Sequence, residues 1–367
     1  MARFGLFVGS ADFLHGIQSD MAAAKGRVLV QAMTFEGDAA GQSVAGAVAA
    51  STAADRRVLV DDYTRHVIND RFLALSRDPA LHAEASATWD MFDGLNARGV
   101  ALRMTNPVGR NPIAYATRNH KKLLVIDQVA WIGGINFSDH NFAWHDMMLR
   151  IDDPAVADWL AGEFDRDWAG NPRAARAQFG DIDLLSLPGN GNEAEFATLL
   201  ARIAAAKRSI EVISAYPTFP FVDAMAKAAQ RGVPVTLYTP RPNNKPVIRD
   251  YLMRVARKTG LSIRLLPEMT HMKAMLIDGE ALVVGSSNFD FVSHRANAEY
   301  VATISDPALI ADAEARLFAP ARSRSVEPSA ADHSLWRGFR ATVGLRIADA
   351  LVARLGEPKR IAVWGRC

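Results

Sequence analysis

With 367 residues, 49% of them hydrophobic, the chain is long enough for two domains or one large duplicated one with a sizeable core. Lys and Arg total 42 against 40 Asp and Glu, so a net charge of +2 exerts little long-range pull on a polyanion, and nucleic acid is not expected as a partner on charge grounds. The lone cysteine, Cys367, excludes an intramolecular disulfide, argues against a Cys-based metal site and fits a reducing, cytoplasmic setting.

Residues 1–9 carry one basic residue and an apolar run too short for a signal peptide. No segment has the apolar length to span a bilayer, so membrane contact is expected to be peripheral, on the inner membrane. Residues 21–25 lead as a helix into a buried strand, Arg27 to Phe35; a second helix, Ala39 to Ala53, leads into Arg57 to Val60. The same order returns later. Residues 203–207 lead into Ser209 to Tyr216, and Phe219 to Gln230 into Val233 to Tyr238. Strands alternating with helices of this length predict α/β architecture: two repeats related by pseudo-twofold symmetry, each a mixed, largely parallel sheet flanked by helices. Loop-forming residues at Ala169 to Pro172 and Pro188 to Asn192 put the boundary near 170–190, giving repeats over 1–170 and 182–330. A C-terminal helical extension over 331–367 follows. Its residues Phe339, Val343, Ile347 and Leu351 recur every fourth position, but Gly338, Gly344 and Arg346 interrupt the pattern, so docking on the protein is favoured over a membrane interface.

The repeats carry the same cassette. His120-Lys121-Lys122 with Asp127, then Gly133-Gly134-Ile135-Asn136, is matched by His271-Met272-Lys273 with Asp278, then Gly285-Ser286-Ser287-Asn288. One such His-x-Lys-x4-Asp arises by chance at about one in ten thousand starting points, whereas two with matched followers carry real information. Alternation along a strand puts His120 with Lys122, and His271 with Lys273, on one face. These parts suit phosphodiester cleavage. One imidazole can attack phosphorus while the other protonates the leaving oxygen. Lys122 and Lys273 can hold the non-bridging oxygens without a metal or other cofactor. Asn136 and Asn288 can donate to the same oxygens, with Gly134 and Ser286 completing the phosphate-binding set. Each histidine also needs a carboxylate to fix its tautomer. Asp146 follows Asn136, and Glu299 follows Asn288, at matching distances, so Asp146 is assigned to His120 and Glu299 to His271. Asp127 and Asp278, at strand ends, are read as structural.

These residues resemble the phospholipase D superfamily, whose hallmark is the duplicated motif, and within it the bacterial cardiolipin synthases. Similar stretches include Gly133 to Asp139, Trp144 to Asp146, Ile151 to Val156, and Gly285 to Asp290 on through Asn297 to Glu299. The resemblance implies a phosphohistidine intermediate, no metal, a phospholipid substrate and phosphatidyl transfer to an alcohol or water, with His120 attacking and His271 as acid. Two departures bear on the acceptor: Val292 stands where the family has arginine, and Met148 where it has histidine. The two membrane-spanning helices that often precede the enzyme in that family are not in this sequence. Hydrolysis, nucleic-acid cleavage and non-catalytic lipid binding are the rival readings. His15, His66, His82, His140, His145, His294 and His333 have no repeat partner and read as ordinary histidines, with His145 and His294 nearest the motifs. Arg110, Arg118, Arg241 and Lys245 are candidate anion contacts.

Overall fold

The computed structural model describes residues 2–107, 117–354 and 361–364. The first repeat contributes β1 (Arg3–Val8), β2 (Arg27–Ala32), β3 (Asp55–Asp61), a small hairpin of β4 (Val67–Ile68) and β5 (Arg71–Phe72), β6 (Ala101–Thr105), β7 (Leu123–Ile126), β8 (Val129–Gly133) and β9 (Met147–Asp152). The second contributes β10 (Ala175–Phe179), β11 (Ile182–Pro188), β12 (Ile210–Ser214), β13 (Val235–Pro240), β14 (Ser262–Leu266), β15 (Lys273–Ile277), β16 (Ala281–Gly285) and β17 (Ala298–Ile304). Near the C-terminus β18 (Ile361–Val363) returns to the first repeat and pairs with β6. The extension is therefore not wholly helical.

Two eight-stranded sheets result, in the orders β1-β9-β8-β7-β2-β3-β6-β18 and β10-β11-β17-β16-β15-β12-β13-β14. Parallel pairing is confined to β2-β3-β6 and β12-β13-β14, where helices cross between strands. The remaining pairs are antiparallel, correcting the expectation of largely parallel sheets, because each cassette is a tight hairpin that cannot feed a crossover. Strands such as β7 and β15 are buried at every position, as expected where both faces are covered.

One apolar cluster draws on both repeats, joining Leu123, Val125, Ile132 and Phe164 to Leu276, Leu282, Tyr300 and Phe318. Burial at about 25 cal/mol per Å² makes this shared core the main force holding the repeats together. The helix Leu335–Val352 docks on the helix Pro246–Thr259 through Gly338, whose missing Cβ would lie 2.9 Å from the Arg254 Cβ, and through the buried Ala341 and Leu345. Its repeating stripe of Phe339, Val343, Ile347 and Leu351 faces outward instead.

Candidate active site

The two repeats exchange backbone where the cassettes begin. His120 N donates to Ala298 O and Ala298 N to Arg118 O, both at 2.9 Å; at the mirrored place His145 N donates to Met269 O at 3.0 Å and His271 N to His145 O at 2.9 Å. The residue before each histidine thus lies beside the residue before the other repeat's acid. Braces consequently cross between repeats. His120 Nδ1 lies 3.0 Å from both oxygens of Glu299, and His271 Nδ1 lies 2.9 Å from Asp146 Oδ2. This corrects the within-repeat assignment: Asp146 and Glu299 are the braces, each serving the opposite histidine. With Nδ1 committed to a carboxylate, Nε2 of each ring keeps its lone pair for chemistry.

Lys122 and Lys273, buried beside the histidines, each donate to the carbonyl of the histidine two residues before, Lys122 Nζ to His120 O at 2.8 Å and Lys273 Nζ to His271 O. An ammonium has two further donors. Burial, with the like charge of Lys273 adding to it, drops Lys122 to about 7, while burial takes Lys273 to about 8. Burial also holds His120 at about 4, with Glu299 raising it and Lys122 lowering it, and holds His271 well below its ordinary value, with Lys273 and Lys122 adding to the effect. An arriving phosphodiester would offset the two lysines and let an imidazole take up a proton.

The two braces differ. Burial resists ionisation of Glu299, yet His120, Lys122 and the Ser286 hydroxyl outweigh it and bring the carboxyl below its usual range. Ser293 Oγ donates to Glu299 Oε1 at 2.7 Å and Ser286 Oγ donates to Oε2. Burial raises Asp146 to about 6, only partly relieved by Lys273 and by the Met147 N–H, which donates at 2.8 Å.

The expected phosphate-binding set divides. The Ser286 hydroxyl is spent on Glu299 and accepts from Tyr300 N at 3.0 Å, so it orients a brace rather than a phosphate. Gly134 is its counterpart, and a Cβ there would lie 2.4 Å and 2.5 Å from the Asp146 oxygens. Its glycine makes room for a carboxylate, not for a ligand. Asn136 accepts from Thr34 N at 3.3 Å, leaving its amide nitrogen against Asn141, while Asn288 Oδ1 is buried with no hydrogen-bond partner among the described residues. Both asparagines remain candidates for contacting substrate.

Asp127 accepts from the N–H groups of Lys25, Gly26 and Arg27, and Asp278 from those of Lys207, Arg208 and Ser209. These carboxylates tie each hairpin turn to the start of the adjoining strand. Arg118 is buried against Asp61 at 2.7 Å, which withdraws it as an anion contact, and Arg241 faces Asp332 at 3.5 Å. Arg110 lies outside the described residues. Lys245 sits 4.2 Å over the Tyr216 ring, and Tyr216 and Trp144 flank His271 with ring centroids at 5.9 and 5.4 Å. His294 packs on Phe196 and Phe221, and His145 contributes backbone to the crossing. Ser293 and Trp144 escaped the sequence reading as site residues, although both stand within stretches that carry the resemblance. Among the described residues, the acids close enough to share a metal ion are Glu36, Asp38 and Glu84, outside the histidine pair.

Among curated proteins, the minor cardiolipin synthase ClsB of Bacillus subtilis is 28% identical over 220 residues, covering 54% of this chain and 55% of that protein. Cardiolipin synthase 1 of Staphylococcus aureus (strain COL) is 31% identical over 227 residues, covering 53% and 45%. The chain thus spans about half the length of the curated relatives it matches. In fold it is similar to the phosphatidylserine synthase of Haemophilus influenzae, with a TM-score of 0.73, 16% identity and coverage of 95% of this chain and 94% of that one. A polyphosphate kinase from Porphyromonas gingivalis superposes with a TM-score of 0.61 at 12% identity, over 95% and 53%. The sequence model described as the phospholipase D-like domain of cardiolipin synthase matches residues 17–168 and 199–318, and the chain belongs to that family, the cardiolipin synthase-like branch of the phospholipase D superfamily.

Proposed function

We propose that this protein is a phosphatidyltransferase that acts on anionic glycerophospholipids through a phosphohistidine, passing the phosphatidyl group to an alcohol such as phosphatidylglycerol in the manner of a cardiolipin synthase. The observation that carries this reading is the convergence of two cross-braced imidazoles and two buried lysines where the repeats meet. His120 Nε2 attacks phosphorus and the bond to the leaving alcohol breaks, its oxygen taking a proton from His271. Neutral His271 then takes the proton of the incoming alcohol, whose oxygen attacks phosphorus as the bond to His120 breaks. Lys122 and Lys273 hold the non-bridging oxygens throughout.

The inequality of the braces supports His120 as nucleophile. Phosphorylation at Nε2 with Nδ1 protonated makes the ring cationic, and Glu299, held ionised by two hydroxyls, is the stronger partner for that charge. Asp146, nearer its own titration, suits the ring that passes a proton back and forth.

The outward stripe of the C-terminal helix supports a peripheral seat on the lipid surface. Trp336, Ile347 and Leu351 are 65%, 57% and 60% exposed, Phe339 stacks beside Trp336, and Arg340 on the same helix and Arg354 in the turn after it are available to anionic headgroups. The protein has no helix, among the described residues, long and apolar enough to cross a membrane.

Purified protein incubated with phosphatidylglycerol vesicles and resolved by lipid mass spectrometry tests the reading. Cardiolipin with released glycerol supports it. Phosphatidic acid alone shifts the assignment to hydrolysis, and turnover of an oligonucleotide but no lipid overturns it.

A further inference from the structure

Beside the catalytic pair lies a group of carboxylates that the phosphodiester chemistry does not use. Glu36 follows β2, Asp38 caps the helix Ala39–Ala50, and Glu84 belongs to the helix Pro79–Ala97. One oxygen from each lies within 4.8 Å of the others. Glu36 is 1% exposed, and its Oε1 has no hydrogen-bond partner; Glu84 Oε1 is likewise buried and unpartnered. The remaining oxygens are held in place by donors. Asn69 N reaches Glu36 Oε2 at 3.3 Å, Asn69 Nδ2 reaches Glu84 Oε2 at 2.7 Å, and the N–H groups of Gly41 and Asp139 hold Asp38 at 3.0 and 2.6 Å. Beyond these donors, the Glu36 and Glu84 carboxyls face each other closely enough to share a proton when no cation lies between them.

No ammonium or guanidinium pairs with these three acids among the described residues. Their nearest basic group is His140, 3.8 Å from Glu36 Oε2, and Asp139 and Asp70 add further negative charge around it. A buried, unpaired carboxylate is costly and demands a positive partner. We propose that Glu36, Asp38 and Glu84 bind one hard divalent cation of the calcium class. All the donors are oxygens, Glu36 and Asp38 from one loop and Glu84 from a helix distant in sequence, and three carboxylates exceed what magnesium ordinarily takes from protein. The site adjoins the catalytic one. His140 packs 5.3 Å from Trp144, which lies 5.4 Å from His271, so a bound cation orders the wall beside the general acid.

Full-length protein dialysed against EGTA is titrated with calcium chloride by calorimetry, a readout that does not depend on lipid turnover. Saturable binding of one ion, weakened at least tenfold in Glu84→Gln and abolished in Glu36→Gln, is expected. Glu84 is only partly buried, so its variant keeps the test valid if Glu36→Gln misfolds. The proposal is overturned by no saturable binding up to roughly 10 mM, beyond the weak end of oxygen-ligand sites, or by equal affinity in wild type and Glu84→Gln. An infrared carboxylic-acid band lost in Glu36→Gln and indifferent to calcium would show that a shared proton does the cation's work.

Discussion

Glu299→Gln keeps the size and one acceptor oxygen of the side chain that faces His120 at 3.0 Å, and removes only its charge. In the resting site His120 is neutral, held there by burial, so the variant costs little in folding or substrate binding. The cost falls when the ring becomes cationic on phosphorylation. Removing one member of a buried ion pair typically costs about 3–5 kcal/mol, and at 1.36 kcal/mol per decade that slows the first step by roughly two to four orders of magnitude. Quenched-flow measurement of acid-labile phosphoenzyme from headgroup-labelled lipid reads this step directly. The expected pattern is a collapse of the formation rate with KM nearly unchanged. A folded Glu299→Gln enzyme that forms phosphoenzyme within tenfold of wild type would refute the crossed brace as a source of catalysis.

Gly134→Ser places a side chain on the Asp146 carboxylate and should cut turnover at least tenfold while leaving the unfolding temperature within a few degrees, read by steady-state assay and calorimetry. Lys122 and Lys273 both titrate lower in the folded than in the unfolded chain, so charging them costs stability below about 7 to 8 and the cost is relieved as pH rises toward their ordinary value. Lys122→Met should therefore raise the melting temperature at pH 6 and flatten the rise of wild-type stability between pH 7 and 10; an unchanged profile would show that Lys122 is not held in a dry site. Replacing Trp336 and Phe339 together by serine removes two exposed apolar side chains, each worth about 1.5–3 kcal/mol when fully buried. Flotation with anionic vesicles should fall at least tenfold, and unaltered flotation would place the membrane contact elsewhere.

Much of the architecture is legible in the chain because a duplicated motif and its flanking helix-strand units repeat visibly. The hairpin of Leu123–Ile126 with Val129–Gly133 shows in the chain as two adjacent apolar runs with a short break at Gln128. The crossed braces were not. Asp146 and Glu299 stand at equivalent offsets in their own repeats, and symmetric offsets are equally compatible with bracing within a repeat or across. Only the backbone exchange of His120 with Ala298 and of His145 with His271 decides it, and that exchange is a tertiary event without a local signature. The roles of Gly134 and Ser286 were hidden for the same reason, since what each faces is an acid more than ten residues later. Glu36 and Asp38 share one loop, but Glu84 joins them from a helix more than forty residues on, and no spacing rule links it to them. The stripe of the C-terminal helix was read correctly as periodic, but Gly338, taken as a flaw in it, proved to be the point of closest approach to the neighbouring helix.

On the proposed mechanism two histidines from different repeats work on one phosphorus, and Nε2 of His120 is the atom that takes it. Rapid quench of the enzyme with phosphatidylglycerol, followed by peptide mapping under alkaline conditions that preserve phosphoramidates, tests it most directly. A phosphatidyl or phosphoryl adduct on His120 that accumulates when His271→Ala is paired with an activated leaving group is the predicted result. Label on His271 instead, or turnover with no covalent histidine adduct at any time point, would contradict the account.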